Sequence, residues 1–536
     1  MFLNTQGSVR IIFFIALVTV VALNIIALPL YPPPSCDEVS YSGVAVSLLE
    51  QGSLGWAAFT QGEYLGRDIN VVHQGRLYTL GLALLFRTGG VSLITGRMYS
   101  IIGWIIASYL TYQVGATLYS PKIALTAALA FASSLKTFFV AHLIRPEIWT
   151  AVSILVAIWI VIVAIRDNRQ WVAWLAGIIV VMPFDYHGYA LAFVIGLTAA
   201  FLFETVWKQQ SYTKAAVFIL GGFCGGVMWI IGHAFPAPHI AWRQFFTFSL
   251  PYASFASVSP VSTTLNNIYS AIVAFLPAAY WTLGGPIALL EGMLVGIGVI
   301  IAAIRRNQSD RIMLIVIIVS FIIYASTFSQ RFVSYSVMWS PLLLIVGIAS
   351  LEKIIGLFPI NSVKADHWFF TFSVILIFAN IVGSMWLTLR YANNNFTQMG
   401  IEVRRTIPPE ARVLADPDWW WNLRQTNTFI PDEYFLYPLP YENASTLNAD
   451  GRITDYVAYF HPDYILMDSS IACVMDPGGP GWAELEKFAK SQCKVVGIID
   501  GAWWGDTGKS TNIVGQRTTV YKCDSYNTFA KDDLKK

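Results

Sequence analysis

Charge is scarce in this chain of 536 residues: Asp, Glu, Lys and Arg together make up 12% of it, against about a quarter in a soluble globular protein. A chain so poor in charge cannot present a water-facing surface along its whole length, which excludes an ordinary soluble enzyme. The charges nearly cancel, at a formal net charge of +2, so no global field points to nucleic acid and placement matters more than sum. Cysteine is sparse as well. The five residues, Cys36, Cys224, Cys473, Cys493 and Cys523, include no CxxC or Cys/His spacing, which leaves a zinc site or a thioredoxin-like centre without support. No internal repeat marks a solenoid or a transporter built from two related halves. The first apolar run also lacks a small-residue cleavage site: Leu28 leads into Tyr31, Pro32, Pro33 and Pro34, and an uncleaved first helix is expected rather than a signal peptide.

What the chain has in abundance is apolar sequence, 56% of all residues. Ile11 to Leu30 is about 20 residues long, enough for a helix to cross the hydrocarbon. Further runs begin near Met98, Lys122, Ile148, Trp171, Tyr189, Ala215, Pro286, Ile312, Val337 and Trp368, for about eleven helices in all. With strict alternation, Arg10, Lys122, Arg166, Arg169, Lys208, Lys214, Arg305, Arg306, Arg311, Lys353 and Lys364 fall on one side, which the positive-inside rule makes cytoplasmic. The expectation is a multi-pass protein of the plasma (inner) membrane with a cytoplasmic N-terminus. The long segment from Tyr31 to about Arg97, the loop from His233 to about Tyr269, and everything after about Arg390 then lie outside. Gly75 to Phe86 is apolar but short and flanked by Arg76 and Arg87, and reads as an interfacial helix. Ala271 to Leu283 contains Pro277 and is a candidate re-entrant segment. The spans themselves are nearly free of charge, which argues against a transporter with ionisable groups at the bilayer midplane.

Composition changes after Arg390. Asn393, Asn394 and Asn395 read as a linker, and residues 391–536 as a soluble extracytoplasmic domain following a transmembrane domain of residues 1–390 with outer interfacial helices at about 35–90. Short β-rich runs at Arg412–Leu414, Tyr464–Met467, Val495–Ile499 and Thr518–Tyr521, with a helix at Trp482–Lys490, predict a small α/β unit. Cys473 and Cys493 are candidates for a disulfide there, with free thiols the alternative, and connectivity is open.

The ionisable residues nearest the bilayer, Asp37, Glu38, His73, Arg145, Glu147, Asp185, His187, His233, His239, Arg243 and Arg331, all fall on the outer side. Such groups are costly at membrane level unless they line a polar cavity, so their gathering suggests a site. For each alone a solvated loop position is an equal reading. Asp37 and Glu38 open an amphipathic stretch, DEVSYSGVAVSLLEQG, where two acids also complement a helix dipole. A second signal, HLIRPEIW, sets Arg145, Pro146 and Glu147 between the third and fourth spans, with the proline suited to a first helical turn. In FDYHGY, His187 could bind a phosphate or a sugar hydroxyl, or satisfy backbone groups in a turn.

CDEVSYSGVAVSLLEQGSLG, HQGRLYTLGLALLFRTGGVSLITGRMYS and HLIRPE, in that order, resemble the GT-C glycosyltransferases of the protein O-mannosyltransferase and aminoarabinose transferase type (glycosyltransferase family 39-like). The resemblance covers most of the first 150 residues; weaker matches are QRFVSYSVMWSPLLLI, VLADPDWWW and DYILMDSS. It implies a GT-C-like polytopic α-helical membrane protein with a small C-terminal α/β domain. It also implies transfer of a sugar from a polyprenyl-phosphate donor to an extracytoplasmic glycan, lipid or protein hydroxyl. The first acidic motif falls on Asp37 and Glu38 and the second on Glu147, where the family more usually has aspartate; Arg145 matches the basic position beside it. Asp37 is the expected general base, with Glu38 and Glu147 as further catalytic acids. Arg145, Arg331, His187, Asp185 and His73 are candidates for binding donor phosphate or sugar. No cofactor is called for, and a divalent metal is left open. Asp416-Pro417-Asp418 has the DxD form but reads as a turn on the side without nucleotide sugars. Trp503-Trp504-Gly505-Asp506 departs from the oligosaccharyltransferase signature, making that family the alternative, with a transporter or a non-catalytic envelope polymer assembly protein behind it. Trp419 to Trp421 could stack on sugars or rest on the bilayer surface.

Overall fold

The computed structural model describes residues 5–32, 34–58, 66–72, 74–167, 169–244, 269, 286–328, 333–358, 362–432, 457, 459–469, 480–501 and 516–523. The chain divides into two compact units: residues 1–29, 72–81 and 97–389 form the first, and residues 30–71, 82–96 and 390–536 the second.

The first unit is helical. Its elements are α1 (Thr5–Ala27), α3 (Arg76–Gly89, whose second half belongs to the other unit along with α2), α4 (Leu93–Leu118), α5 (Pro121–Ser133), α6 (Leu135–Ala141), α7 (Glu147–Arg166), α8 (Gln170–Tyr186), α9 (Leu191–Leu202), α10 (Tyr212–His233), α11 (Pro238–Gln244), α12 (Pro286–Arg305), α13 (Gln308–Thr327), α14 (Ser340–Ile355) and α15 (Ser362–Arg390). The apolar runs expected from the sequence fall mainly on these helices, with the run from Lys122 divided between α5 and α6 and those from Tyr189 and Val337 beginning on 3-10 turns. Among the described residues six helices are long and apolar enough to cross a membrane, or seven if α5 and α6, bent by 57° at Ser134, count as one broken span. The chain is a multi-pass integral membrane protein. Ala271 to Leu283 lies outside the described residues.

Small residues bring helices together where side chains would hold them apart. A Cβ on Gly177 of α8 would meet the Phe218 carbonyl oxygen of α10 at 2.0 Å, and one on Gly221 of α10 would meet that of Trp174 at 2.0 Å. The spans are less free of charge than the sequence suggests: Lys136 on α6 and Glu291 on α12, each 2% exposed, face each other at 3.4 Å. Pairing makes burial of two charges tolerable, and a partner more than 150 positions away is invisible in linear sequence.

In the second unit, α2 (Cys36–Gln51) and α16 (Phe396–Thr406) accompany a five-stranded sheet of order β2-β1-β3-β5-β4. The strands are β1 (Arg412–Ala415), β2 (Thr428–Pro431), β3 (Tyr464–Asp468), β4 (Lys494–Gly501) and β5 (Gln516–Lys522), with α17 (Pro480–Gln492) preceding β4. β1 pairs in parallel with β2 and β3, while β5 runs antiparallel to β3 and β4. β3, at the centre, is buried at all five positions, as a strand covered on both faces must be. The four strands and the helix expected from sequence are present; β2 is additional. In the asparagine run, Asn394 Nδ2 donates to the Leu30 carbonyl at 2.8 Å, and Asn395 stands at the N-cap position of α16.

The disulfide differs from the expected candidate. Cys493 bonds to Cys523, not Cys473. The antiparallel register sets Lys494 against Lys522, so the two cysteines just beyond that pair stand opposite each other with Cα atoms 4.2 Å apart, within bridging reach. Cys36 is also disulfide-bonded.

Candidate active site

Two clusters of ionisable side chains stand out among the described residues, one in each unit. In the first unit the bend after α6 leads through His142, buried and bonded to the Phe138 and Asn24 carbonyls at 2.6 and 2.8 Å, into Arg145 and the first residue of α7, Glu147. Pro146 is the N-cap residue of α7. Arg145 donates through Nε to Glu147 Oε1 at 2.8 Å, and its NH2 group lies 2.6 Å from the same oxygen. Glu147 is fully buried, and its Oε2 has no hydrogen-bond partner among the described residues. An acceptor buried in that way costs stability unless a further donor reaches it.

Around this pair stands an aromatic wall. The Arg145 guanidinium lies 5.8 Å from the centroid of Tyr335, on a 3-10 turn (Val333–Met338) that packs against α6 and α7. His187 is 5.2 Å from the same ring and 4.9 Å from Tyr189, while Tyr189 and Tyr335 meet edge-on at 4.7 Å. His187 accepts from Tyr189 N–H through Nδ1 at 3.2 Å, so the turn role weighed for it is real, and Glu147 is also within its electrostatic reach. The structure thus brings Arg145, Glu147 and His187 together. Tyr335 is the tyrosine of QRFVSYSVMWSPLLLI, a segment the resemblance includes, whereas Tyr189, the last residue of FDYHGY, has no sequence signal of its own and is distinguished only by where folding puts it.

Asp185, two residues before His187, is turned elsewhere. Its Oδ2 accepts from Leu77 N–H at 2.9 Å and its Oδ1 lies 3.2 Å from His233 Nε2, so it holds the first turn of α3. Gly75 permits this approach, since a Cβ there would stand 2.1 Å from the Asp185 carbonyl oxygen. His73 and Arg331 lie outside the described residues.

In the second unit Asp37 and Glu38 occupy the first turn of α2 with different surroundings. Glu38 is fully buried, and its Oε2 accepts from Ser35 N–H at 3.0 Å, the acidic half of a capping box. Asp37 is part-exposed. α2 packs on a 3-10 turn, Pro417–Trp419. Asp416-Pro417-Asp418 is therefore the turn read from the sequence, with Asp416 Oδ1 accepting from Asp418 N–H at 3.0 Å. Trp419 and Trp420 are 0% and 2% exposed, which removes them as a sugar platform or a bilayer anchor: Trp419 Nε1 donates to Asp468 Oδ2 at 2.9 Å inside the unit. Asp416, Asp432 and Asp468 stand at the carboxyl ends of β1, β2 and β3 and line a cavity of about 20 Å³. Asp418 is buried beside them. Burial, then the charges of Asp416, Glu38, Asp468 and Asp432, push its carboxyl well above the usual carboxylate range. Among the described residues no group of three or more His, Cys, Asp or Glu is placed to hold a metal ion.

No family model and no curated protein matches the chain. Solved structures do. ArnT from Cupriavidus metallidurans bound to undecaprenyl phosphate superposes with a TM-score of 0.63 at 11% identity, covering 96% of this chain and 98% of that one. Its apo state gives 0.62 at 11% identity, covering 97% and 98%. The apo oligosaccharyltransferase of Archaeoglobus fulgidus gives 0.52 at 12% identity, covering 88% of this chain and 70% of its own. In fold, the chain is similar to these polytopic membrane proteins.

Proposed function

We propose that the protein transfers a sugar from a polyprenyl-phosphate carrier to a hydroxyl acceptor on the outer face of the membrane. The observation that carries this reading is the likeness to a structure that holds undecaprenyl phosphate, spanning nearly all of both chains. The acceptor oxygen bonds to the anomeric carbon as the bond from that carbon to the phosphate oxygen breaks. Asp37 takes the acceptor proton, and the lipid phosphate leaves without needing a general acid. Arg145, fixed by Glu147, and Arg331 are the cations proposed to meet the developing phosphate charge, because guanidinium matches phosphate bidentately. His187, Tyr189 and Tyr335 form a face suited to a sugar ring. The oligosaccharyltransferase reading has less behind it, since the likeness covers 70% of that chain and Trp503 to Asp506 lie outside the described residues.

The orientation proposed is a cytoplasmic N-terminus with the second unit outside. It is supported by the Cys493–Cys523 disulfide, which belongs to an oxidising compartment.

The decisive variant is Asp37→Asn. It keeps size and hydrogen bonding and removes the base, so turnover with a matched polyprenyl-phosphate sugar is expected to fall by roughly a hundredfold to ten-thousandfold. Donor binding and the thermal unfolding midpoint stay near those of the native protein. Near-normal turnover in that variant transfers the base to Glu38 or Glu147.

A further inference from the structure

A cavity of about 310 Å³ opens in the first unit between the start of α5 and the ends of α12 and α14; its lining includes Tyr119, Ser120, Arg305, Glu352 and Lys353. These helix ends carry the basic loops of the bundle. Arg305 is built into the wall: NH1 donates to the Ala349 carbonyl at 3.0 Å and NH2 to Asp310 Oδ1 at 2.6 Å, an oxygen that also accepts from Tyr119 OH at 2.8 Å. The Glu352 carboxylate is held by Lys122 at 2.6 Å, which offsets the one negative charge in the lining. Lys353 is exposed and makes no ion pair among the described residues. Ser120 caps α5 through its oxygen, accepting from Ile123 N–H at 3.3 Å.

The surroundings distinguish this cavity from a binding site for a soluble anion. Met293, Ile297, Ile300 and Ile304 of α12 are 61%, 46%, 62% and 73% exposed; their spacing makes one apolar stripe that ends one residue before Arg305. Just past Gly356 in the cavity wall, Leu357 and Phe358 are 73% and 59% exposed. A polar cavity at the end of a bundle with an apolar track running from it into the membrane matches a headgroup with its chains. Ordinary interfacial anchoring by snorkelled lysines and arginines needs no cavity.

We propose that this cavity binds the phosphate headgroup of an anionic phospholipid from the leaflet at the basic end of the bundle, with Lys353 and Arg305 facing the phosphate and the chains lying along α12. This site is separate from the proposed transfer chemistry and does not depend on it.

The test is lipid binding to the detergent-purified protein by native mass spectrometry, with phosphatidylglycerol and phosphatidylethanolamine as probes and inorganic phosphate as competitor. Phosphatidylglycerol is expected to bind preferentially and to resist displacement by millimolar phosphate. Lys353→Glu, at an exposed position, lowers that affinity about tenfold, and Arg305→Lys, which keeps a cation beside Asp310, lowers it about threefold. Arg169→Glu, at the same end but outside the cavity, leaves it unchanged. Equal binding of the two lipids, an unaffected Lys353→Glu variant, or an equal loss in Arg169→Glu overturns the proposal. Displacement of the lipid by inorganic phosphate overturns it too, and reassigns the cavity to a soluble anion.

Discussion

At the residue scale, neighbouring acids have been given different work. Glu38 is buried and engaged as a helix cap, whereas Asp37, one position earlier, is a part-exposed residue. That division is the physical ground for preferring Asp37 as the base. Asp418 shows the opposite extreme, a carboxyl whose pKa is raised by burial and by the charges of four other acids. Its folded-state pKa lies above its unfolded value near 3.9, so the stability it contributes is full below that value and is lost as pH rises toward and through the folded pKa. Asn cannot ionise. Asp418→Asn is therefore expected to unfold at a higher temperature than the native protein at neutral pH, by a few degrees in order of magnitude, with the difference shrinking as pH falls toward about 4. Thermal unfolding of both proteins across that range decides it; a variant less stable at every pH shows that Asp418 is held by its hydrogen-bonding geometry rather than its proton.

At the scale of elements, close helix contact in the first unit rests on glycine. α8 and α10 approach until backbone meets side-chain space, with Gly177, Gly221 and Gly225 at the crossing, the small-residue packing that membrane helices use in place of a hydrophobic driving force. Gly177→Val puts a branched side chain against the Phe218 carbonyl, which cannot yield as a side-chain end would. The expected result is a loss of roughly 1–3 kcal/mol or more, read as a lowered unfolding temperature. Because α8 leads directly into Asp185 and His187, turnover is expected to fall with it; unchanged stability and turnover show that the helices separate without cost. In the second unit a register, not a motif, decides the disulfide: two antiparallel strands bring Cys493 and Cys523 together.

For the whole molecule, the fold persists at 11% identity across nearly the full length of the ArnT structures. Such persistence is reasonable where lipid imposes helices and polar groups must be satisfied within them. The proposed orientation makes a labelling prediction. In a Cys224→Ala background, an impermeant maleimide applied to intact cells is expected to modify Lys487→Cys, an exposed position of α17, and to reach Gln210→Cys, in the exposed basic turn before α10, only after permeabilisation. The reverse pattern moves both proposed clusters to the other side and removes the case for a lipid-linked donor.

Apolar runs and the scarcity of charge alone determined that the chain is a multi-pass membrane protein, and short β-rich runs located four of the five strands. Both signals are local: a run must match the bilayer, and a strand must alternate or stay apolar, whatever it packs against. The short β2 and the pairing of Cys493 with Cys523 were not legible, because each depends on a neighbour chosen by the sheet. The same holds for the Lys136–Glu291 pair, whose members look like isolated charges in apolar sequence. HLIRPE and FDYHGY were readable as separate motifs, but only tertiary structure joined Arg145, Glu147 and His187 beside Tyr335. It alone separated Asp185, turned toward α3, from His187 two residues on, because the direction in which a side chain leaves a helix end is decided by the groups it meets there.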